Sequence, residues 1–521
     1  MNTRVYKLLF LMALLLGACT SQPAPATPSP PPPTATPDPP TVTPNGPDYW
    51  PTEGWRTSTP EEQGVDSEKL AALMDYLLSQ SSFRIHSLLI IRNGYVITDA
   101  YFYPYEPYML HDLASATKSF TSSLIGIAIE QGYIESVAQT VLEFFPERTV
   151  ANLDANKEAM TLEDLLTMRS GLRCPGEAAT REMMASPDWT QFALDQPLDT
   201  EPGGLYKYCG LNSHLLSAIV QETTGMSALA FGVQKLFGPL GVTNVTWPSD
   251  PQGNNWGWGD MKLAPHDMAK LGFLFFNDGQ WDGQQVVSAE WVEAATSGAS
   301  YGYQWWLKPS GIYYATGVGG QEIWVLPDQK MVVVMTGSSG GGGTGAWGDL
   351  LMESRILPLA ESTASLPPNP DGVAALASRT QQAVASPQPE PMPPLPEIAQ
   401  QVKGKTILLD PNQVGLQFIS LNFPEEAEAV VRLSFSDGNQ VEWPVGLDNV
   451  YRFTPFEYGL SMGLKGWWES ENVFVVQRDV IGGYERERLT TTFEEDQITV
   501  EIQNLTAGGG GSVTLVGQLE E

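Results

Sequence analysis

The 521-residue chain is short of cysteine (3), of histidine (4) and of positive charge, with 28 basic residues against 60 acidic ones. Each scarcity excludes something. His86, His111, His214 and His266 stand at no H-E-x-x-H or comparable spacing, so no metal site and no cofactor is expected. A net charge of -32 argues against a nucleic-acid or anionic-lipid partner and leaves a self-repelling, solvated surface. Three cysteines cannot build a disulfide scaffold. Long apolar runs are missing too: the stretch from Leu8 to Leu16 is too short to span a bilayer. The glycine-rich segment from Ser338 to Gly345 lacks the G-K-[ST] ending of a phosphate loop and reads as a connection.

What is present divides the chain. Arg4 and Lys7 precede the Leu8–Leu16 run, which ends in Leu16-Gly17-Ala18-Cys19. This resembles a bacterial lipoprotein signal over residues 1–19, with Cys19 as the lipid attachment point; the alternative is an ordinary signal peptide with a coincidental cysteine. The first reading places the protein in the bacterial cell envelope, exported, membrane-anchored and facing outside the cytoplasm. Export permits disulfides, so Cys174 and Cys209 are either a pair or two buried thiols. Residues 20–48 are almost wholly Pro, Thr, Ser and Ala, a disordered spacer. A folded domain is expected over 49–363, a second Pro/Ala-rich linker over 364–398, and a β-rich domain over 399–521.

Asp66 caps a helix carrying Leu70, Leu73, Met74 and Leu77 on one face. Two strand-like runs, 86–92 and 95–102, are joined by Asn93-Gly94, the strongest short hairpin signal. A helix beginning near Ser115 stops near Gly132, another starts at Thr161, and strands crowd between 302 and 336. The expected fold class is α+β: an antiparallel sheet with flanking helices plus an all-helical subdomain, followed by a small C-terminal β-barrel or β-sandwich.

The chemistry is expected at Leu113-Ala114-Ser115-Ala116-Thr117-Lys118. A serine and a lysine three residues apart share a helix face, so the amine reaches the hydroxyl and can steady its proton. Free N–H groups at the helix start suit an oxyanion formed at Ser115. Lys118 sits in an otherwise uncharged run from Leu113 to Ile129, which argues against simple solvation. Tyr208 is the candidate second proton acceptor, since a phenol held beside an ammonium is more readily ionised. Gly317-Val318-Gly319-Gly320-Gln321 lets backbone approach a substrate, and the N–H of Gln321 can pair with that of Ser115. Trp256, Trp258, Tyr303, Trp305 and Trp306 either line an apolar cleft or pack the core.

In order along the chain, Ser115-Ala116-Thr117-Lys118, Met168-Arg169-Ser170-Gly171-Leu172, Pro202-Gly203 before Tyr208, and Gly319-Gly320-Gln321 form a recognisable series. With these landmarks residues 50–360 resemble the serine β-lactamase and penicillin-recognising superfamily, in the branch of class C-like enzymes, esterases and 6-aminohexanoate-dimer hydrolases. The resemblance implies a β-lactamase/transpeptidase-like fold and a serine hydrolase. Ser115 would be the acyl-accepting nucleophile, Lys118 its hydrogen-bonded partner and Tyr208 the general base. Backbone N–H groups of Ser115 and Gln321 would form the oxyanion hole, and Asn212, Gly319 and Gly320 would contact substrate. Two departures stand out. The Y-x-N of many relatives is Tyr208-Cys209-Gly210 here, with Asn212 the nearest asparagine, and Val318-Gly319-Gly320 is read in the place of K-T-G. Without that lysine no cation awaits a substrate carboxylate, which favours an ester or a small amide, peptide-like or otherwise, over a β-lactam. The other reading is a slowly acylated or non-catalytic penicillin-binding-like sensor of the envelope. No partner for the C-terminal domain is legible.

Overall fold

A computed structural model of the protein describes residues 47–80, 84–339, 346–360, 362–425, 427–495, 497–506 and 511–520. The expected signal peptide, the Cys19 attachment point, most of the first spacer and most of the 338–345 connection lie outside the described residues. Among the described residues, no helix is long and apolar enough to cross a membrane.

The elements that position the site are, in chain order, α1 (Ser67–Ser79), β1 (Ile85–Arg92), β2 (Tyr95–Tyr101), α2 (Thr117–Glu130), α3 (Gly210–Thr224), α4 (Pro265–Phe276), β3 (Trp306–Leu307), β4 (Tyr313–Gly317), β5 (Gln321–Leu326), β6 (Met331–Gly337) and α5 (Pro370–Val384). Six strands form one antiparallel sheet in the order β2-β1-β6-β5-β4-β3. Asn93 and Gly94 turn the β1–β2 hairpin with φ of 50° and 85°, the left-handed conformation their side chains tolerate.

Because strand side chains alternate, each buried strand feeds two cores. Leu89, Ile91, Ile323 and Val325 face the helical layer that contains α2, α3 and α4. Leu88, Ile90, Trp324 and Leu326 face α1 and α5 on the other side. The helix α5 corrects the expected linker over 364–398. Asn369 caps it by accepting from Gly372 N–H at 3.0 Å, Pro370 begins it, and its alanines favour helix. It packs on α1 through Leu376 and through an Arg379–Asp75 ion pair at 2.9 Å.

The C-terminal region closes into a barrel of nine strands: Thr406–Leu409 (β7), Leu416–Glu425 (β8), Glu428–Phe435 (β9), Gln440–Gly446 (β10), Ser461–Ser470 (β11), Val473–Ile481 (β12), Arg486–Phe493 (β13), Ile498–Asn504 (β14) and Ser512–Leu519 (β15). A parallel bridge between Gly446 of β10 and Lys465 of β11 completes the ring, and Arg452–Pro455 adds a short strand outside it. Ala429, Val431, Leu433 and Phe435 point inward from β9, so the interior is an apolar core. The fold is thus the expected α+β domain followed by a barrel.

The barrel rests on the sheet domain. Leu110 packs with Leu460 and Val480, Tyr103 stacks on Tyr451, Arg84 pairs with Asp479 at 3.6 Å, and Asp112 N–H donates to Gly482 O at 2.7 Å.

Candidate active site

Ser115 lies in a single turn, Ala114–Ala116, that runs straight into α2. The preceding Ala114 takes a φ of 45°, a left-handed conformation that costs an alanine on the order of 1 kcal/mol and persists only where the surroundings fix it. Asp112 Oδ1 fixes it by accepting the Ala114 N–H at 2.8 Å. From the first turn of α2, Lys118 Nζ donates to Ser115 Oγ at 3.0 Å and to Trp258 O at 2.6 Å. Lys118 is only 3% exposed, so the buried ammonium needs these acceptors.

The third member comes from the segment ahead of α3. The Lys118 ammonium sits 4.9 Å from the centroid of the Tyr208 ring. Tyr208 is half-buried, stacked on Trp306 and edge-on to Tyr301. Its backbone is braced by Met168-Arg169-Ser170-Gly171. Met168 O accepts from Lys207 N–H at 2.8 Å, Arg169 O from Gly203 N–H at 2.9 Å and Gly171 O from Asp199 N–H at 2.8 Å. Cys174 and Cys209 are joined, with Cα atoms 5.8 Å apart, and this fixes the residue next to Tyr208. Gln304 ties the helices together: its O accepts from Ser119 Oγ and its Oε1 from Ser213 Oγ, both at 2.7 Å.

The structure brings Ser115, Lys118 and Tyr208 together, and it places Asn212, Gly319 and Gly320 against protein rather than at an open substrate contact. Asn212 is wholly buried on α3, accepts from Ser170 Oγ at 2.8 Å and faces Met168 Sδ. It holds the brace and does not reach a cleft. Gly319 and Gly320 make room for protein: a Cβ on Gly320 would lie 2.1 Å from the Trp347 ring, and one on Gly319 would lie 2.9 Å from Tyr484 Cβ. Gln321 is the cross-strand partner of Gly317, on β5, and its Nε2 donates to Gly337 O at 2.6 Å. The residue seated against the nucleophile is Gly317, at the end of β4. A Cβ there would lie 3.0 Å from Ser115 N and 2.3 Å from Leu113 O. The strand end Ala315-Thr316-Gly317 thus supplies the glycine that lies against the nucleophile turn, and its Ala315 is buried. Among the aromatics, Trp305 is core, Tyr303 and Trp256 are buried, and Trp258 and Trp306 are half-exposed beside the site.

Residues that the sequence did not mark complete the surroundings. Besides holding Ala114, Asp112 pairs with Lys262 Nζ at 3.1 Å. Burial pushes the Asp112 carboxyl up to about 7, with Asp260 adding to the shift and Lys262 opposing it. Burial also works against the Lys262 ammonium, yet Asp112 and Asp260 hold it above the usual lysine range. In sequence, Asp112 is a lone acid outside any pattern, and only the pairing of His111-Asp112 with Lys262-Leu263 reveals it.

A family model described as Beta-lactamase matches residues 70–348. The 6-aminohexanoate-dimer hydrolase of Paenarthrobacter ureafaciens is 26% identical over 315 residues, which cover 54% of this chain and 80% of that protein. A solved structure from Bacillus anthracis, assigned as a 6-aminohexanoate-dimer hydrolase, aligns with a TM-score of 0.52 at 18% identity, covering 62% of this chain and 91% of that one. An octameric penicillin-binding protein homologue from Pyrococcus abyssi aligns at a TM-score of 0.46 and 17% identity over 87% of this chain and 100% of that one.

Proposed function

Because the chain belongs to the beta-lactamase family, we propose that it is a serine hydrolase that acylates Ser115 from an ester or amide and releases the acid to water. The observation that carries the reading is the meeting of three groups from two parts of the chain. Lys118 Nζ is 3.0 Å from Ser115 Oγ and 4.9 Å from the Tyr208 ring.

In the proposed cycle, Ser115 Oγ attacks the substrate carbonyl carbon and passes its proton to the Tyr208 oxygen, the general base. Tyr208 delivers that proton to the leaving alkoxide or amine as the C–O or C–N bond breaks. Water then attacks the acyl group, gives a proton to Tyr208, and the ester bond to Ser115 breaks as the serine recovers it. Lys118 Nζ, which donates to Ser115 Oγ at 3.0 Å, steadies that oxygen as its proton leaves and returns. The oxyanion is received by the Ser115 N–H and an N–H of the turn that follows Gly317. One such backbone donor contributes about 100- to 1,000-fold in rate.

Ala315 stands two residues before the Gly317 at Ser115, as the lysine of K-T-G stands two before its glycine, and this supports substrates with no carboxylate to anchor; the name of the Paenarthrobacter relative supports an amide. We further propose that the protein works outside the cytoplasm, tethered through Cys19. The Cys174–Cys209 bond supports this, because such bonds persist in oxidising compartments.

A fluorescent alkyl fluorophosphonate tests the reading. Wild-type protein becomes labelled, and Ser115→Ala, with its circular dichroism unchanged, does not. A wild type that stays unlabelled and turns over no small ester would favour the slowly acylated sensor instead.

A further inference from the structure

The barrel reaches the segment that leads into the Ser115 turn. Its β12–β13 turn, Gly482 to Glu485, lies against Asp112, three residues before Ser115, and against Gly319. On one side Gly482 O accepts the Asp112 N–H at 2.7 Å. Backbone meets backbone there: a Cβ on Gly482 would lie 2.1 Å from Leu110 O and 3.0 Å from Leu460 Cδ2. On the other side Tyr484 Cβ rests on Gly319, two residues beyond the Gly317 that touches Ser115 N. Tyr458, from the neighbouring barrel loop, lies under the Lys262 ammonium at 5.0 Å, and its carbonyl accepts from Thr246 Oγ1 at 3.2 Å.

These contacts converge on Asp112. Its N–H is held by the barrel, its Oδ2 by Lys262, and its Oδ1 holds the Ala114 N–H in the left-handed turn that presents Ser115. We propose that the Gly482–Glu485 turn of the barrel is a working part of the catalytic cleft, and that it keeps the Ser115 turn in its reactive geometry through Asp112, a positioning residue. A side chain that starts a reaction from a strained turn must be held there, since a misplacement of about 1 Å costs on the order of 100-fold in rate. The inference rests on the hydrolase reading.

The test compares two glycine substitutions in the full chain, with p-nitrophenyl acetate as substrate. Gly482→Ala and Gly404→Ala both place alanine at a left-handed φ, of 85° and 71°, but a Cβ on Gly404 meets nothing within 4 Å. We expect Gly482→Ala to lower kcat by about 10-fold or more with KM nearly unchanged, and Gly404→Ala to leave both near wild type. Asp112→Ala should lower kcat in the same way, and Asp112→Asn should restore most of it, because an amide oxygen still accepts the Ala114 N–H. A folded Gly482→Ala with wild-type kcat overturns the inference, as does a loss in Gly404→Ala of the same size. If Gly482→Ala does not fold, the Asp112 pair decides, and equal kcat in its Ala and Asn forms overturns it. A wild type that neither hydrolyses the ester nor takes the fluorophosphonate brings down the hydrolase reading, and the inference falls with it.

Discussion

Glu322 shows how a single side chain can carry a pH dependence that lies outside the reaction. It is fully buried on β5, bonded to Trp324 Nε1 at 2.6 Å, and burial pushes its carboxyl from an ordinary 4.5 up to about 8. An acid whose folded value is raised binds its proton more tightly in the native state. Its stability is therefore full below 4.5 and is lost as pH rises through about 8. The slope across that window is about 1.4 kcal/mol per pH unit for one group. Glu322→Gln keeps the shape without the titration. Urea midpoints at several pH values should fall more gently for the variant than for wild type, and parallel curves would contradict the assignment. At this scale the sequence was most informative where chemistry depends on local spacing: Ser115 and Lys118 are one helical turn apart whatever the rest of the chain does. It misled where burial decides. Asn212 is polar but lies on a helix buried on all sides from Leu211 to Val220, so polarity did not mark an exposed face.

Elements position the second half of the site. Tyr208 belongs to a loop, and a loop residue holds its place only through what ties the loop down. Here the ties are the Met168–Gly171 brace and the Cys174–Cys209 bond. The cysteines are 35 residues apart in sequence, so in the chain-entropy account the bond contributes about 4 kcal/mol. The Cys174→Ser/Cys209→Ser double variant should melt several degrees lower, and its kcat should fall more than its KM rises because Tyr208 adjoins Cys209. Unchanged kcat would mean that the brace alone suffices. Motif order gave the elements, yet register gave the contact. Thr316 to Gln321 offers three glycines to a reader of the sequence, and only the ladder in which Gly317 faces Gln321 selects the one against Ser115. Helix α5 was missed for a compositional reason. Proline and glutamine suggest a spacer, whereas Pro370 stands where a helix begins and the alanines that follow favour one.

In the whole molecule, two cores and a barrel meet at Leu110, Leu460 and Val480, at the Arg84–Asp479 pair and at the backbone joint of Asp112 with Gly482. Contacts this close to both the nucleophile turn and the barrel core couple their unfolding. Scanning calorimetry should give one transition for the sheet domain and barrel together, and two well-separated transitions would show that they are independent. The barrel's strands were legible from alternation between 415 and 502, but its docking was not, because Gly482 and Asp112 meet through backbone atoms that leave no mark in sequence. The account as a whole stands on Ser115, Lys118 and Tyr208 acting as one unit. The most direct measurement is intact-mass analysis of protein quenched during turnover of p-nitrophenyl acetate, with peptide mapping of the adduct. We predict one acetyl group on Ser115, formed about 100-fold or more slowly in Tyr208→Phe, which keeps the ring and loses the hydroxyl. An adduct on another residue, turnover without an adduct, or wild-type acylation in Tyr208→Phe would contradict it.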